Sequence, residues 1–134
     1  MTAAQPIHNL IEALSLPPAS FAWTASDGSL IGAARGIVVQ VLPRKVECMA
    51  IMAYDAPKLA QNNALAMLLI LTALRPEWED AGAWLAREML QSKQSEMRAY
   101  AGPNGDQGCC FEYDKQHSRA ILTIKRDRCY TTHN

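Results

Sequence analysis

Three histidines, four cysteines and two groups of charged residues are the side chains of this sequence with chemistry to offer. Nucleophilic catalysis needs a thiol or hydroxyl with a base within hydrogen-bond reach, and the imidazoles are His8, His117 and His133. His117 falls in a turn near the strand that carries Cys109 and Cys110, but the length of that strand carries it away from both thiols. Cys109 and Cys110 are adjacent, so on a strand they leave opposite faces and make a poor ligand pair for one tetrahedral metal. Cys129 and His133 stand at i, i+4, which is half of a zinc site by spacing; the plainer reading is a polar chain end that binds nothing. No C-x-x-C, G-x-G-x-x-G, P-loop, H-E-x-x-H or G-x-S-x-G pattern occurs. The segment 102–108 is glycine-rich, yet it precedes a strand instead of a helix and lacks the aligned N–H groups that hold phosphate. The expectation is a protein that is not an enzyme, with no catalytic residues, no cofactor and no metal.

Binding is the remaining chemistry. On a helical wheel Trp84 lies among Glu77, Asp80, Glu88 and Gln91, away from an apolar stripe of Trp78, Ala81, Gly82, Leu85 and Met89. An indole on a polar face is either covered by a neighbouring segment or offered to a partner, and tryptophan is enriched at binding hot spots. Trp84, Glu77, Asp80 and Glu88 are therefore the candidate partner-binding residues, although Glu77, Glu79 and Asp80 also read as ordinary negative charge at a helix start. Basic residues gather late, at Lys115, Arg119, Lys125, Arg126 and Arg128. Arg119 and Lys125 share one face of the last strand; with Arg44, Lys45 and Arg126 they are the candidate nucleic-acid contacts, beside Tyr113 or Tyr130. Glu112 and Asp114 lie across the same hairpin and neutralise part of that stripe, which also suits a strand edge guarded by charge.

The elements that must position these residues follow from spacing. Ile7, Leu10, Ile11 and Leu14 mark a first helix, started near Pro6 and ended by Pro17-Pro18. Asp27-Gly28 is a two-residue hairpin turn; pairing Ser26 with Ser29 sets Trp23 opposite Gly32, where a large ring can lie over bare backbone. The strand Ile37–Leu42 is apolar at both parities except Gln40 and reads as central, covered on both sides. Val46 to Tyr54 returns as a similar strand. Asp55-Ala56-Pro57 starts a helix that is apolar almost all round from Ala64 to Leu74, and Arg75-Pro76 breaks it from a second helix that reaches Gln91 and could extend to Met97. Cys109, Phe111 and Tyr113 then face one way on a hairpin, with Ala120, Leu122 and Ile124 on its return. A four-residue turn at 114–117 sets Phe111 opposite Ala120 and Glu112 opposite Arg119.

The whole is one α+β domain in the order α-β-β-β-α-α-β-β, with a mainly antiparallel sheet of about five strands and a long hydrophobic helix on it. Its parts are an N-terminal helix and linker over 1–18, a three-stranded meander over 19–54 and two helices over 55–99. A loop over 100–108, a hairpin over 109–126 and a tail over 127–134 complete it. With 134 residues, 13 basic against 13 acidic groups and 49% hydrophobic content, the chain has the profile of a single folded domain. Zero net charge argues against a surface built wholly for nucleic acid or an anionic membrane. The longest apolar run, Ala64 to Leu71, is far short of the about twenty residues a membrane span needs. The first residues carry no secretory pattern and the cysteines are too few for a disulfide scaffold, so a reducing cytoplasm is expected, with Cys48 and Cys109 as small core residues.

Two strands and a helix with apolar residues on both sides ask for more cover than a small two-layer domain supplies, and a two-fold homodimer would provide it. The order of elements is similar to that of the small dimeric chaperones that escort secreted bacterial effectors, whose sheets and helices present apolar grooves to an unfolded segment. Those chaperones are typically acidic, whereas this chain is neutral and adds a second helix at Pro76. The expected function is a non-enzymatic protein-binding module, a chaperone, adaptor or small inhibitor of the phage or plasmid accessory kind, docking on another protein; the alternative is a nucleic-acid accessory protein.

Overall fold

Apolar residues at three- and four-residue spacing and at alternate positions divide the described residues into three helices and seven strands. The computed structural model describes residues 4–17, 19–45, 47–53, 57–92, 97–102 and 108–125. Helix α1 (Ala4–Ser15) buries Ile7, Leu10 and Leu14. Strands β1 (Ala22–Ser26), β2 (Ser29–Ala34), β3 (Ile37–Leu42) and β4 (Glu47–Ala53) run as an antiparallel meander. Helices α2 (Pro57–Leu74) and α3 (Ala81–Ser92) follow, then β5 (Met97–Ala101), β6 (Cys109–Asp114) and β7 (Arg119–Ile124). All seven strands form one antiparallel sheet in the order β1-β2-β3-β4-β7-β6-β5, so β4 is its middle strand and the β4–β7 pairing joins the two halves of the chain.

The first hairpin has the anticipated register. Asp27 and Gly28 adopt φ of 46° and 80°, which closes a two-residue turn and pairs Ser26 with Ser29 and Trp23 with Gly32. A Cβ on Gly32 would come within 2.7 Å of the Trp23 ring, so only glycine fits under the indole as it lies. The helices pack on one face of the sheet. Ala66, Met67, Ile70, Leu71 and Leu74 of α2 enter the core with Ile37, Val39, Val41, Ala50, Met52, Phe111 and Leu122 of the sheet. Helix α1 packs beside α2, and α3 approaches α2 closely at Gly82, where a Cβ would meet Leu68 at 3.3 Å. Asn63 donates from Nδ2 to the Arg35 carbonyl at 3.2 Å, tying α2 to the β2–β3 turn. Arg75, just past α2, donates to the Lys125 carbonyl at the end of β7.

Three expectations are corrected. The sheet has seven strands, not five: the return arm of the first hairpin is a full strand, β2, and Met97–Ala101 is β5, not the end of a helix. Partners fix β5, because Met97–Tyr113, Ala99–Phe111 and Ala101–Cys109 pair it to β6 along its whole length. The strand β3 is covered on one side only; Val38 and Gln40 are exposed. Helix α2 packs against α1, α3 and the sheet, so it is buried on more than one side as its sequence suggests, with Gln61, Asn62, Leu65 and Thr72 exposed. The last hairpin has a four-residue turn as anticipated, but at 115–118, one position later, which moves the pairing by two residues. Asp114 pairs with Arg119, and Phe111 with Leu122, because Ser118, at a left-handed φ of 50°, still belongs to the turn and the return strand begins only at Arg119. A shift of two preserves the faces, so Phe111, Tyr113, Ala120 and Leu122 still share the core side.

Candidate functional site

Strand alternation gives this sheet two faces with different fates. The residues facing the helices are buried. Those facing away form two long rows across the strands: Thr24, Ile31, Gln40, Met49, Thr123, Cys110 and Tyr100 in one, Ala22, Ala33, Val38, Ile51, Ile121, Glu112 and Arg98 in the other. The centre of this face is apolar. Val38 and Met49 are each 42% exposed, and Ile31, Ile51 and Ile121 beside them are half-buried only by one another and their neighbours. Among the described residues no helix lies over them. Near one end of the face a depression of about 120 Å³ is lined by Gln40, Leu42, Glu47, Met49, Thr123 and Lys125 among others. It is too small for most cofactors, whose pockets run to roughly 300 Å³ or more, and suits one inserted side chain.

Charge sits at the margins of the face. Glu112 Oε2 accepts from Arg98 Nη2 at 3.1 Å, and this bond holds the Arg98 guanidinium still more firmly protonated. Asp114 accepts from Arg119 Nε at 3.1 Å and from the His117 backbone N–H at 3.3 Å, with the His117 ring Nδ1 at 2.8 Å. The His117 contact, more than any other, holds the Asp114 carboxyl below the usual carboxylate range. Cys110 faces this side too, and burial raises its thiol to about 11; burial of Cys48 on the core side raises that thiol to about 12. Neither is a ready nucleophile at neutral pH. His8 lies on α1 beside Glu12, 3.2 Å away, and His117 sits in its turn, so neither imidazole is placed to serve a thiol.

The sequence-predicted sites are distributed differently from expectation. Trp84 is 5% exposed and packs at 5.3 Å, tilted by 37°, against Trp78; it belongs to the core and offers no free indole. Glu88 is buried too, with Arg87 Nε at 3.7 Å, while Glu77 and Asp80 are exposed. The buried face of α3 is thus Ala81, Trp84, Leu85 and Glu88, an i, i+3, i+4, i+7 set turned from the Trp78–Leu85–Met89 stripe toward the indole. Asp80 marks the start of α3: its carbonyl accepts the Trp84 N–H at 3.0 Å. Arg44 and Lys45 are exposed in the β3–β4 turn, at the end of the sheet where Lys125 also emerges, whereas Arg119 lies at the opposite end with Asp114. Arg126, Cys129, Tyr130 and His133 lie outside the described residues. Sequence reasoning missed Val38, Met49, Ile51 and Ile121 as a site. The available signal is apolar residues at both parities on neighbouring strands, which the sequence reading takes as a surplus needing outside cover without naming the residues that carry it.

The fold and face define an α+β domain with an antiparallel sheet whose second side is apolar at its centre and, among the described residues, has no helix over it. Compared with known proteins, the chain matches no family model, and neither a curated protein nor a solved structure shows significant similarity to it.

Proposed function

We propose that this chain is a non-enzymatic protein-binding module, a chaperone, adaptor or small inhibitor, that acts in the cytoplasm by docking another protein chain onto the open face of its sheet. The observation that carries this reading is the exposure of Val38 and Met49 at the centre of that face, contiguous with Ile31, Ile51 and Ile121. Contiguous apolar area of this kind is uncommon on monomeric surfaces and marks interaction sites. The depression beside Met49 gives a partner side chain a place to anchor, and buried anchors of that kind dominate interface energetics. The charged groups at the margin are paired with one another at Arg98–Glu112 and Arg119–Asp114, an arrangement that suits a polar rim better than a phosphate track.

The test is co-purification from the native host with the wild-type chain and with a Val38→Lys, Met49→Lys double variant as baits, His8→Ala on α1 serving as control. A protein captured by wild type and control but lost from the double variant supports the reading. Equal capture by all three overturns it. Association is expected to be insensitive to salt; steep weakening between low and moderate salt would indicate phosphate contacts and favour the nucleic-acid alternative.

A further inference from the structure

We infer that β1 is a receptor edge, which takes an extended, proline-free segment of another protein chain as an eighth, antiparallel strand. This site is separate from the open face and works through backbone, not apolar area. β1 ends the sheet on one side, with β2 as its neighbour. The two-residue turn at Asp27-Gly28 makes Ser26 and Ser29 a hydrogen-bonded pair, and antiparallel ladders alternate bonded with non-bonded pairs. Ala22, Thr24 and Ser26 therefore turn their N–H and C=O groups toward β2. Trp23 and Ala25 turn theirs outward, and among the described residues nothing pairs with those groups. The Phe21 N–H, outward by the same alternation, is taken by the Leu14 carbonyl at 2.7 Å. The end of α1 thus closes the edge at Phe21, and the hairpin turn closes it past Ser26. What stays free is the five residues of β1, a length of about 17 Å.

The edge is also unobstructed and unguarded. Ala22, Thr24, Ala25 and Ser26 are exposed, and Trp23 is half-buried because its indole lies inward over Gly32, which leaves the outer flank of the strand open. Natural edges are protected by charge, proline or a bulge; Ala22–Ser26 is uncharged, has no proline and pairs with β2 one to one. The opposite edge differs, since β5 carries Arg98, held by Glu112 of β6. Outward N–H and C=O groups on alternate residues are matched along their length by another extended backbone, so the occupant is a polypeptide strand. Its residues opposite Trp23 and Ala25 each donate an N–H and accept at a carbonyl, which excludes proline there. Their side chains fall on the helix side of the sheet, beside the indole that packs at 6.0 Å on Phe21, and apolar residues fit. The residue between them falls on the other side, next to exposed Thr24, and can be polar.

Amide hydrogen exchange, read by NMR on the isotope-labelled full chain, tests this. The probe is acetyl-Thr-Val-Thr-Val-Thr-amide, and its control is the same peptide N-methylated at both valines, which removes the two N–H donors. Without peptide, the Trp23 and Ala25 amides are expected to exchange faster than those of Thr24 and Ser26, which bond to β2. At roughly nine-tenths occupancy by the probe, Trp23 and Ala25 should slow about tenfold, and the methylated control should leave them unchanged. Ala25→Pro removes an outward N–H while leaving the ladder to β2 intact, and is expected to abolish the binding. Should that variant misfold, the methylated peptide still separates backbone pairing from any other contact. Failure of the probe to protect either amide at low millimolar concentration overturns the proposal, as does equal protection by the methylated control. Shift changes confined to Val38, Met49 and Ile51 overturn it too, while leaving the open face as a docking surface. Protection of Trp23 and Ala25 that grows with protein concentration in the absence of peptide makes the occupant a second copy and overturns the foreign strand.

Discussion

Single residues fix three local features whose removal is measurable. Gly32 has no room for a side chain, since a Cβ would sit 2.7 Å from the Trp23 ring. Gly32→Ala is therefore expected to destabilise by about 1–3 kcal/mol in urea unfolding, the usual cost of forcing an atom into a packed contact. Trp23→Leu should relieve most of that cost, and a double-mutant cycle reads the relief directly. Asp114 is held below its ordinary pKa of 3.8, first by His117 and then by Arg119. A depressed carboxyl contributes stability that is complete above its unfolded pKa and is lost as pH falls through the folded one. Acid unfolding below about pH 4 should accordingly be steeper for wild type than for Asp114→Asn; identical acid limbs would show that the contact contributes nothing. At Cys48 and Cys110 burial lifts the thiols to about 12 and about 11. Both are expected to stay unmodified by iodoacetamide at neutral pH while the chain is folded and to react once it is denatured, as peptide mass mapping would record.

At the scale of the element, helix α3 shows how area competes with charge. Its wheel could be centred on the Trp78–Leu85–Met89 stripe or rotated to include Trp84; the structure takes the rotated choice and buries the carboxylate-bearing Glu88 along with the indole. An indole removes far more apolar surface from water than Met89 does, and stacking on Trp78 adds to the gain. Trp84→Ala is thus expected to cost about 3–5 kcal/mol of fold stability, a core effect that urea unfolding separates from any loss of binding. The same competition explains what the sequence made legible. The Trp23–Gly32 register could be read in advance because a two-residue turn dictates pairing within a few residues. The strand β5 could not, because Met97–Ala101 is short and owes its conformation to β6, a partner further along the chain. The last hairpin was legible in its faces and two residues off in its register, because one left-handed serine, Ser118, decides where the turn ends. The alternation that identified β3 and β4 as apolar on both sides contained no information on which side the helices would take.

The whole molecule is divided by the β4–β7 seam, where the meander of the first half meets the hairpin of the second. Neighbouring residues on β7 sample its two environments. Leu122 faces Ala50 in the core and is fully buried, whereas Ile121 faces Ile51 on the open side and is half-buried. Leu122→Ala leaves a cavity and should cost about 2–5 kcal/mol at any protein concentration. Ile121→Ala removes contact from a bare surface in the isolated subunit, where the expected cost is under about 1 kcal/mol. If a second copy covers that surface, binding adds to the stability of the native state by mass action, and the cost of Ile121→Ala must rise with protein concentration while that of Leu122→Ala does not. Urea unfolding of both variants, at low and at high micromolar protein, therefore measures from inside one strand whether the outer face of the sheet is covered in solution. A cost for Ile121→Ala that is the same at both concentrations means the face is bare.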